Sequence, residues 1–178
     1  MINASLAIGP MSSEVIEAIF RFSNYNRKEL MIIASKNQID YNGGYVNNWK
    51  TREFMDFIKK MKEIYPQSSV KICRDHCGPG FNGIYELEDS YRTIEADINN
   101  GFDLIHIDFC HFQGLKEEQF EETKKAIEYC YSLNPGIMIE VGTDENAGIN
   151  FGIMNLEEIE RELDFFTRFC KPEFYVVQ

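Results

Sequence analysis

Short apolar stretches recur about every 35 residues along this chain, and an amphipathic segment follows most of them. Residues 6–9, 30–34, 70–73, 104–107, 137–141 and 174–177 read as strands. Residues 30–34 form an unbroken apolar run, which predicts a strand buried on both faces. Ser12 or Ser13 is placed to cap a first helix, with Val15, Ile16, Ile19, Phe20 and Phe22 on its apolar face. Thr51 is placed to cap a second, with Phe54, Phe57, Ile58 and Met61 at three-and-four spacing and Pro66 as its stop. A third helix covers 87–99 and ends at Gly101, and a fourth covers 115–131 and ends before Asn134-Pro135-Gly136. Asn155-Leu156-Glu157-Glu158 is a capping-box pattern that opens a fifth, with Leu156, Ile159, Leu163, Phe166 and Phe169 on one face.

Strand–helix alternation of this kind specifies a parallel α/β fold, either an open doubly wound sheet or a (β/α)8 TIM barrel. Polar side chains crowd just after the strands: Asn37-Gln38, Asp75-His76, Asp108 and residues 140–145. A site assembled by successive strand ends fits the barrel, whereas a doubly wound sheet concentrates its site at one switch point. A complete barrel needs eight strands and about 250 residues. The expectation is therefore one domain over residues 1–178, an incomplete, truncated TIM barrel of which this chain supplies about six strands.

The formal net charge of -11 argues against nucleic acid as a partner, but leaves room for a local cationic pocket for a small sugar phosphate. No apolar run of about 18 residues exists, so no membrane span is expected. The first ten residues lack the basic region of a signal peptide. Five cysteines, an odd number, fit reduced thiols in a cytoplasmic protein better than a disulfide framework.

The chemistry-bearing residues fall into four groups. Asp75-His76, at a strand end and followed by Gly78-Pro79-Gly80, offers a metal ligand beside a proton-transfer carboxylate; the competing reading is a capping Asp and a surface His. Cys73, His76, Cys77, His106, Cys110 and His111 include all three histidines, with spacings that suggest a structural zinc. Strand direction opposes that, because Cys73 lies beneath Asp75 and His106 beneath Asp108, so His106 reads as a core histidine and His111 as a loop residue. Asp108, Glu140, Asp144 and Glu145 are the carboxylates near the strand ends. Glu140 lies within an apolar strand and needs a partner there, whether a metal, Lys71 or the histidines; Asp144 and Glu145 read as loop charges or helix caps. Finally, Asn37 and Gln38 carry amides suited to sugar hydroxyls, and Gly43-Gly44 can bring backbone N–H groups close to an anion, although by composition this is also an ordinary polar loop.

Several of these segments, taken in order, resemble the GatZ/KbaZ-like subunits of class II tagatose-bisphosphate aldolase. The resemblance rests on Ser35-Lys36-Asn37-Gln38 with Gly43-Gly44-Tyr45, on Asp75-His76-Cys77-Gly78-Pro79, and on Gly101-Phe102 with Ile105-His106-Ile107-Asp108. It extends to Val141-Gly142-Thr143 and the terminal Val176-Val177-Gln178, while residues 144–148 depart from the family pattern. It implies a zinc-dependent (β/α)8 aldolase barrel in which Asp75 moves a proton and His76 binds zinc, with Asp108 and Glu140 near metal or substrate. The other zinc histidines of such aldolases come from later strands, beyond Gln178. The expected function is that of a class II aldolase-like protein of sugar-phosphate metabolism. Such a zinc-dependent aldehyde-lyase, or sugar epimerase, would use a divalent metal on a ketose (bis)phosphate, with Asn37, Gln38, Gly43 and Gly44 contacting substrate. The alternative is a non-catalytic subunit that stabilises or activates a partner aldolase; a second copy of the chain is another expected partner.

Overall fold

A computed structural model describes residue 4, residues 6–142 and residues 156–176. The elements run β1 (Ala7–Ile8), α1 (Ser13–Asn26), β2 (Glu29–Ser35), α2 (Thr51–Ile64), β3 (Ser69–Cys77) and α3 (Leu87–Asn100). They continue with β4 (Leu104–Asp108), α4 (Lys116–Leu133), β5 (Met138–Gly142), α5 (Leu156–Thr167) and β6 (Phe174–Tyr175). All neighbouring strands pair in parallel, in the order β1-β2-β3-β4-β5-β6. A doubly wound sheet must reverse its strand order at a switch point. This sheet never does, so the fold is a half-barrel of six strands, the sequential order that the barrel expectation required.

Period-two alternation sorts the strand residues onto two unequal faces. Leu30, Ile32, Ala34, Val70, Ile72, Ile105, Ile107, Ile139 and Val141 pack with helix residues such as Ile16, Phe20, Phe54, Ile94 and Ile127 in one continuous core. The inner face carries a smaller cluster, Cys73 and Leu104, with Met31, Ile33, Met138 and Phe174 packed around it. Burial on both faces was expected of β2; instead Leu30, Ile32 and Ala34 are buried while Met31 and Ile33 are only half-buried. The difference arises because helices cover one face of this sheet, and the other is concave and open.

The helix boundaries follow local chemistry with two corrections. Ser12 caps α1, its Oγ accepting the Val15 N–H at 3.3 Å. Phe22, expected on the apolar face of α1, is 53% exposed, because it lies to one side of the buried stripe of Ile16, Ile19, Phe20 and Ser23. Thr51 is not the cap of α2 but its first residue; Lys50 caps, its N–H bonded to Glu53 at 2.9 Å, and the buried Thr51 hydroxyl bonds Asp97 instead. Gly101 terminates α3 as expected. The fifth helix begins at Leu156 as the capping pattern implied, but Asn155 itself, and Thr143, Asp144, Glu145, Val177 and Gln178, lie outside the described residues.

Candidate active site at the β3 and β4 strand ends

Successive residues of a regular strand point to opposite faces, so adjacent Asp75 and His76 should not share a site. They do so because β3 carries a bulge. Arg74 pairs with Ile105 and Cys77 with Ile107, so three steps along β3 match two along β4. Asp75 and His76 both oppose His106, and both side chains turn to the inner face. The local cost is visible at His76, whose φ of 45° is in the left-handed region that non-glycine residues rarely occupy. Gly78 follows because the chain then crosses the end of β4 closely; a Cβ there would lie 1.5 Å from the Asp108 carbonyl oxygen.

The bulge brings four groups into contact. His76 Nδ1 is 2.7 Å from Asp108 Oδ2, and the Cys110 N–H bonds Asp108 Oδ1 at 3.0 Å. His76 Nε2 lies 3.5 Å from Asp75 Oδ1, and His106 Nδ1 lies 3.6 Å from the same oxygen. The His76 backbone N–H reaches His106 Nδ1 at 3.3 Å. Asp75, His76 and His106 present donor atoms within 4.8 Å of one another, the one group of metal-ligand type among the described residues. The donor set suits a divalent ion, since a ligating imidazole whose other nitrogen meets a carboxylate is the usual support at metal sites. His106 was expected to be a satisfied core histidine. It is buried as expected, but its Nε2 has no hydrogen-bond partner among the described residues.

The carboxylates differ in their environment. Burial works to raise the Asp108 pKa, but the His76 bond, the nearby His106 and the Cys110 N–H together hold it below the usual carboxylate value. Glu140 sits opposite His106 in the β4–β5 register. Burial pushes its pKa up, the two imidazoles pull against that, and Asp75 and Asp108 add to the rise. Lys71, one of its expected partners, bonds Asp103 at 3.2 Å instead. Burial also raises the Cys73 thiol to about 12, and Cys73 packs with Leu104 in the inner-face apolar cluster.

The loop after β2 reaches this centre indirectly. Asn37 is exposed and donates its amide to the Phe81 carbonyl at 2.8 Å, and the Phe81 ring stacks on His76 with centroids 4.6 Å apart. Gln38 is buried, accepting the Ser35 N–H at 2.9 Å and donating to Met11 sulfur. The Gly43 N–H bonds Asp40 and the Gly44 N–H bonds Trp49, so both amides close the loop on itself. Sequence reasoning passed over the groups that fix this loop. Lys36 is buried and pairs with Asp89 at 2.5 Å, which also takes the Tyr41 hydroxyl and the Asn82 amide. Arg74 is buried on the helix side, bonding Asp97 through two nitrogens at 2.6 and 2.8 Å and the Ala34 and Ile39 carbonyls at 2.9 and 2.6 Å. A lysine and an arginine beside strand ends, with aspartates at helical spacing in 89–97, were the available signal.

Residues 4–128 match the family model described as D-tagatose-1,6-bisphosphate aldolase subunit GatZ/KbaZ-like. Over 100 residues the chain is 32% identical to the D-tagatose-1,6-bisphosphate aldolase subunit GatZ of Klebsiella oxytoca, a match covering 53% of this chain and 23% of that protein. The fold is similar to that of a probable tagatose 6 phosphate kinase from Sinorhizobium meliloti 1021, with a TM-score of 0.76 at 17% identity over 99% of this chain and 49% of the other. It is also similar to the fructose-bisphosphate aldolase of Campylobacter jejuni, with a TM-score of 0.65 at 14% identity over 93% of this chain and 49% of the other. At these identities the two structures establish the fold alone, and the chain spans about half of each.

Proposed function

The chain belongs to the D-tagatose-1,6-bisphosphate aldolase subunit GatZ/KbaZ-like family, and from that premise we propose that its six strands form part of a class II aldolase-like barrel acting on a phosphorylated ketose. The reaction is reversible aldol cleavage or the related epimerisation, and the setting is a reducing cytoplasm, in keeping with five free cysteines. Among the described residues no helix is long and apolar enough to cross a membrane.

The observation that carries this reading is the His76–Asp108 bond, with the far nitrogen of the ring turned toward Asp75. His76 would hold a divalent metal, zinc in the first instance, and Asp108 would fix the ring for that task. A bound divalent cation supplies Lewis acidity to a ketose carbonyl. Asp75, partly open to the concave face, gives or takes the proton at the carbon beside that carbonyl. Glu140, opposite His106 in the β4–β5 register, would support the metal or the substrate hydroxyls. Asn37 offers its exposed amide to substrate hydroxyls, and Gln38, Gly43 and Gly44 hold the loop that presents it.

A second reading has its own support. The Klebsiella relative is named as a subunit, and this chain matches 23% of it. In that reading the protein has no chemistry of its own and stabilises or activates a partner aldolase. Turnover of tagatose bisphosphate and its epimers, measured with the chain alone and with an added aldolase subunit, separates the two. Turnover by the chain that is lost in Asp75→Ala while metal is retained supports the enzyme. No turnover alone, but raised activity of the added subunit in both wild type and Asp75→Ala, supports the helper and ends the first reading.

A further inference from the structure

We infer that Phe81 is a positioning residue of the proposed site: its ring, in contact with the imidazoles of His76 and His111, holds His76 on Asp108 and keeps the far ring nitrogen turned to the concave face. This rests on the reading of His76 as a metal ligand and deepens it. His76 needs such support. Its φ is 45° and its side chain is 31% exposed, so water competes for the bond to Asp108. The Phe81 ring covers one face of the imidazole, with centroids 4.6 Å apart and planes 26° from parallel, within the range of stacked aromatic pairs. A flat ring laid on the imidazole limits rotation about the last side-chain torsion of His76. That torsion decides which nitrogen meets Asp108. An aliphatic side chain of similar bulk would fill the space without imposing a plane.

Phe81 is itself held in place. Asn37 donates to its carbonyl at 2.8 Å, and the neighbouring Asn82 donates its amide to Asp89 Oδ2 at 3.0 Å. Lys36, the neighbour of Asn37, meets the same oxygen of Asp89 at 2.5 Å, with both side chains buried. The dipeptides Lys36-Asn37 and Phe81-Asn82 are therefore tied twice, once beside His76 and once at a buried ion pair. Asn82 also closes its own turn, accepting the Ile84 N–H at 3.1 Å. The loop after β4 supplies His111, its ring centroid 4.8 Å from that of Phe81. The buried Lys36–Asp89 pair thus anchors the loop that carries the ring.

The test labels the three histidines with nitrogen-15 and reads the His76 tautomer by NMR in the metal-free chain at alkaline pH. Wild type, Phe81→Leu and Phe81→Tyr are compared, with circular dichroism as the folding check. We expect the His76 proton on Nδ1, facing Asp108, in wild type and Phe81→Tyr, and a mixed or exchange-broadened tautomer in Phe81→Leu. Zinc titration of the same proteins should give an affinity about 3–10-fold weaker in Phe81→Leu and close to wild type in Phe81→Tyr. A folded Phe81→Leu with the wild-type tautomer and the wild-type zinc affinity overturns the inference, because the ring then only fills space, and the metal reading stands. If the tautomer is disturbed in Phe81→Leu and restored in Phe81→Tyr while none of the three proteins takes up zinc, the positioning holds and the metal reading fails for this chain.

Discussion

His76 and Asp108, 32 residues apart in the chain, meet across the β3–β4 seam with Nδ1 and Oδ2 2.7 Å apart. The contact fixes which nitrogen of the ring faces the concave side, and the bulge in β3 makes it reachable. Asp108→Asn keeps the shape but removes the charge and the unambiguous acceptor. Metal affinity should fall about 10–100-fold with little change in fold. Calorimetric titration of the purified variant against wild type checks this; equal affinities would detach the bond from any metal role.

Gly78→Ala tests the crossing of the two strand ends. The added carbon would lie 1.5 Å from a backbone oxygen of Asp108, and no side-chain rotation relieves a backbone clash. We expect a loss at or above the upper end of the roughly 1–3 kcal/mol typical of overpacking. Urea denaturation gives the number, and a variant as stable as wild type would show that the crossing is looser than described.

Arg74 and Asp97 form an ion pair with both side chains fully buried between sheet and helix. Removing one partner strands a charge in an apolar layer, at a cost of about 3–5 kcal/mol. Asp97→Ala should therefore be severely destabilised, and Arg74→Met combined with Asp97→Leu should recover much of the loss. Chemical denaturation of the three proteins decides; a double variant no better than Asp97→Ala would mean that the Ala34 and Ile39 carbonyls, not the charge pair, govern this position.

These residues mark where the sequence was readable and where it was not. The caps at Ser12 and Gly101 and the parallel alternation depend on chemistry within a few residues, and they were legible. Asp75-His76 was legible as a strand-end pair, but its shared face was not, since that depends on a register shift against β4. For the same reason His106 read as core: strict alternation puts it a layer below Asp108, and only the bulge brings both neighbours of β3 down to meet it. For Lys36 and Arg74 the residue types beside the strand ends were a signal, but the pairing that buries them was not legible because their aspartates lie 53 and 23 residues away. The open inner face of β2 was missed because apolar composition cannot say which face a helix will cover.

Asp89 links the β2 loop to pH. Burial works to raise its pKa, but the bonds from Lys36, Tyr41 and Asn82 prevail and hold it below the ordinary carboxylate value. The unfolded chain therefore takes up a proton there first as the solution is acidified. The stabilisation is fully present above about pH 4 and is lost as pH falls through the lower, folded value. Asp89→Asn should flatten that part of the acid limb in urea titrations repeated across pH, and an unchanged slope would remove Asp89 from the linkage.

Gly142→Ala isolates His106 without touching a ligand. The new methyl would stand 2.7 Å from Nε2, and an imidazole has no flexible end to yield, so the whole ring must shift from its place beside Asp75. The methyl would also stand 3.4 Å from the Val176 Cβ, so it has a second neighbour at van der Waals contact. Small-to-large changes of this size cost about 1–3 kcal/mol, so the protein should stay folded while cobalt and zinc binding weaken by at least about tenfold, an effect of the size seen when a neighbour of a ligand is displaced. Thermal unfolding and metal titration on the same sample separate the two effects. Full metal affinity in a folded Gly142→Ala protein would show that the ion does not depend on where β4 places its histidine.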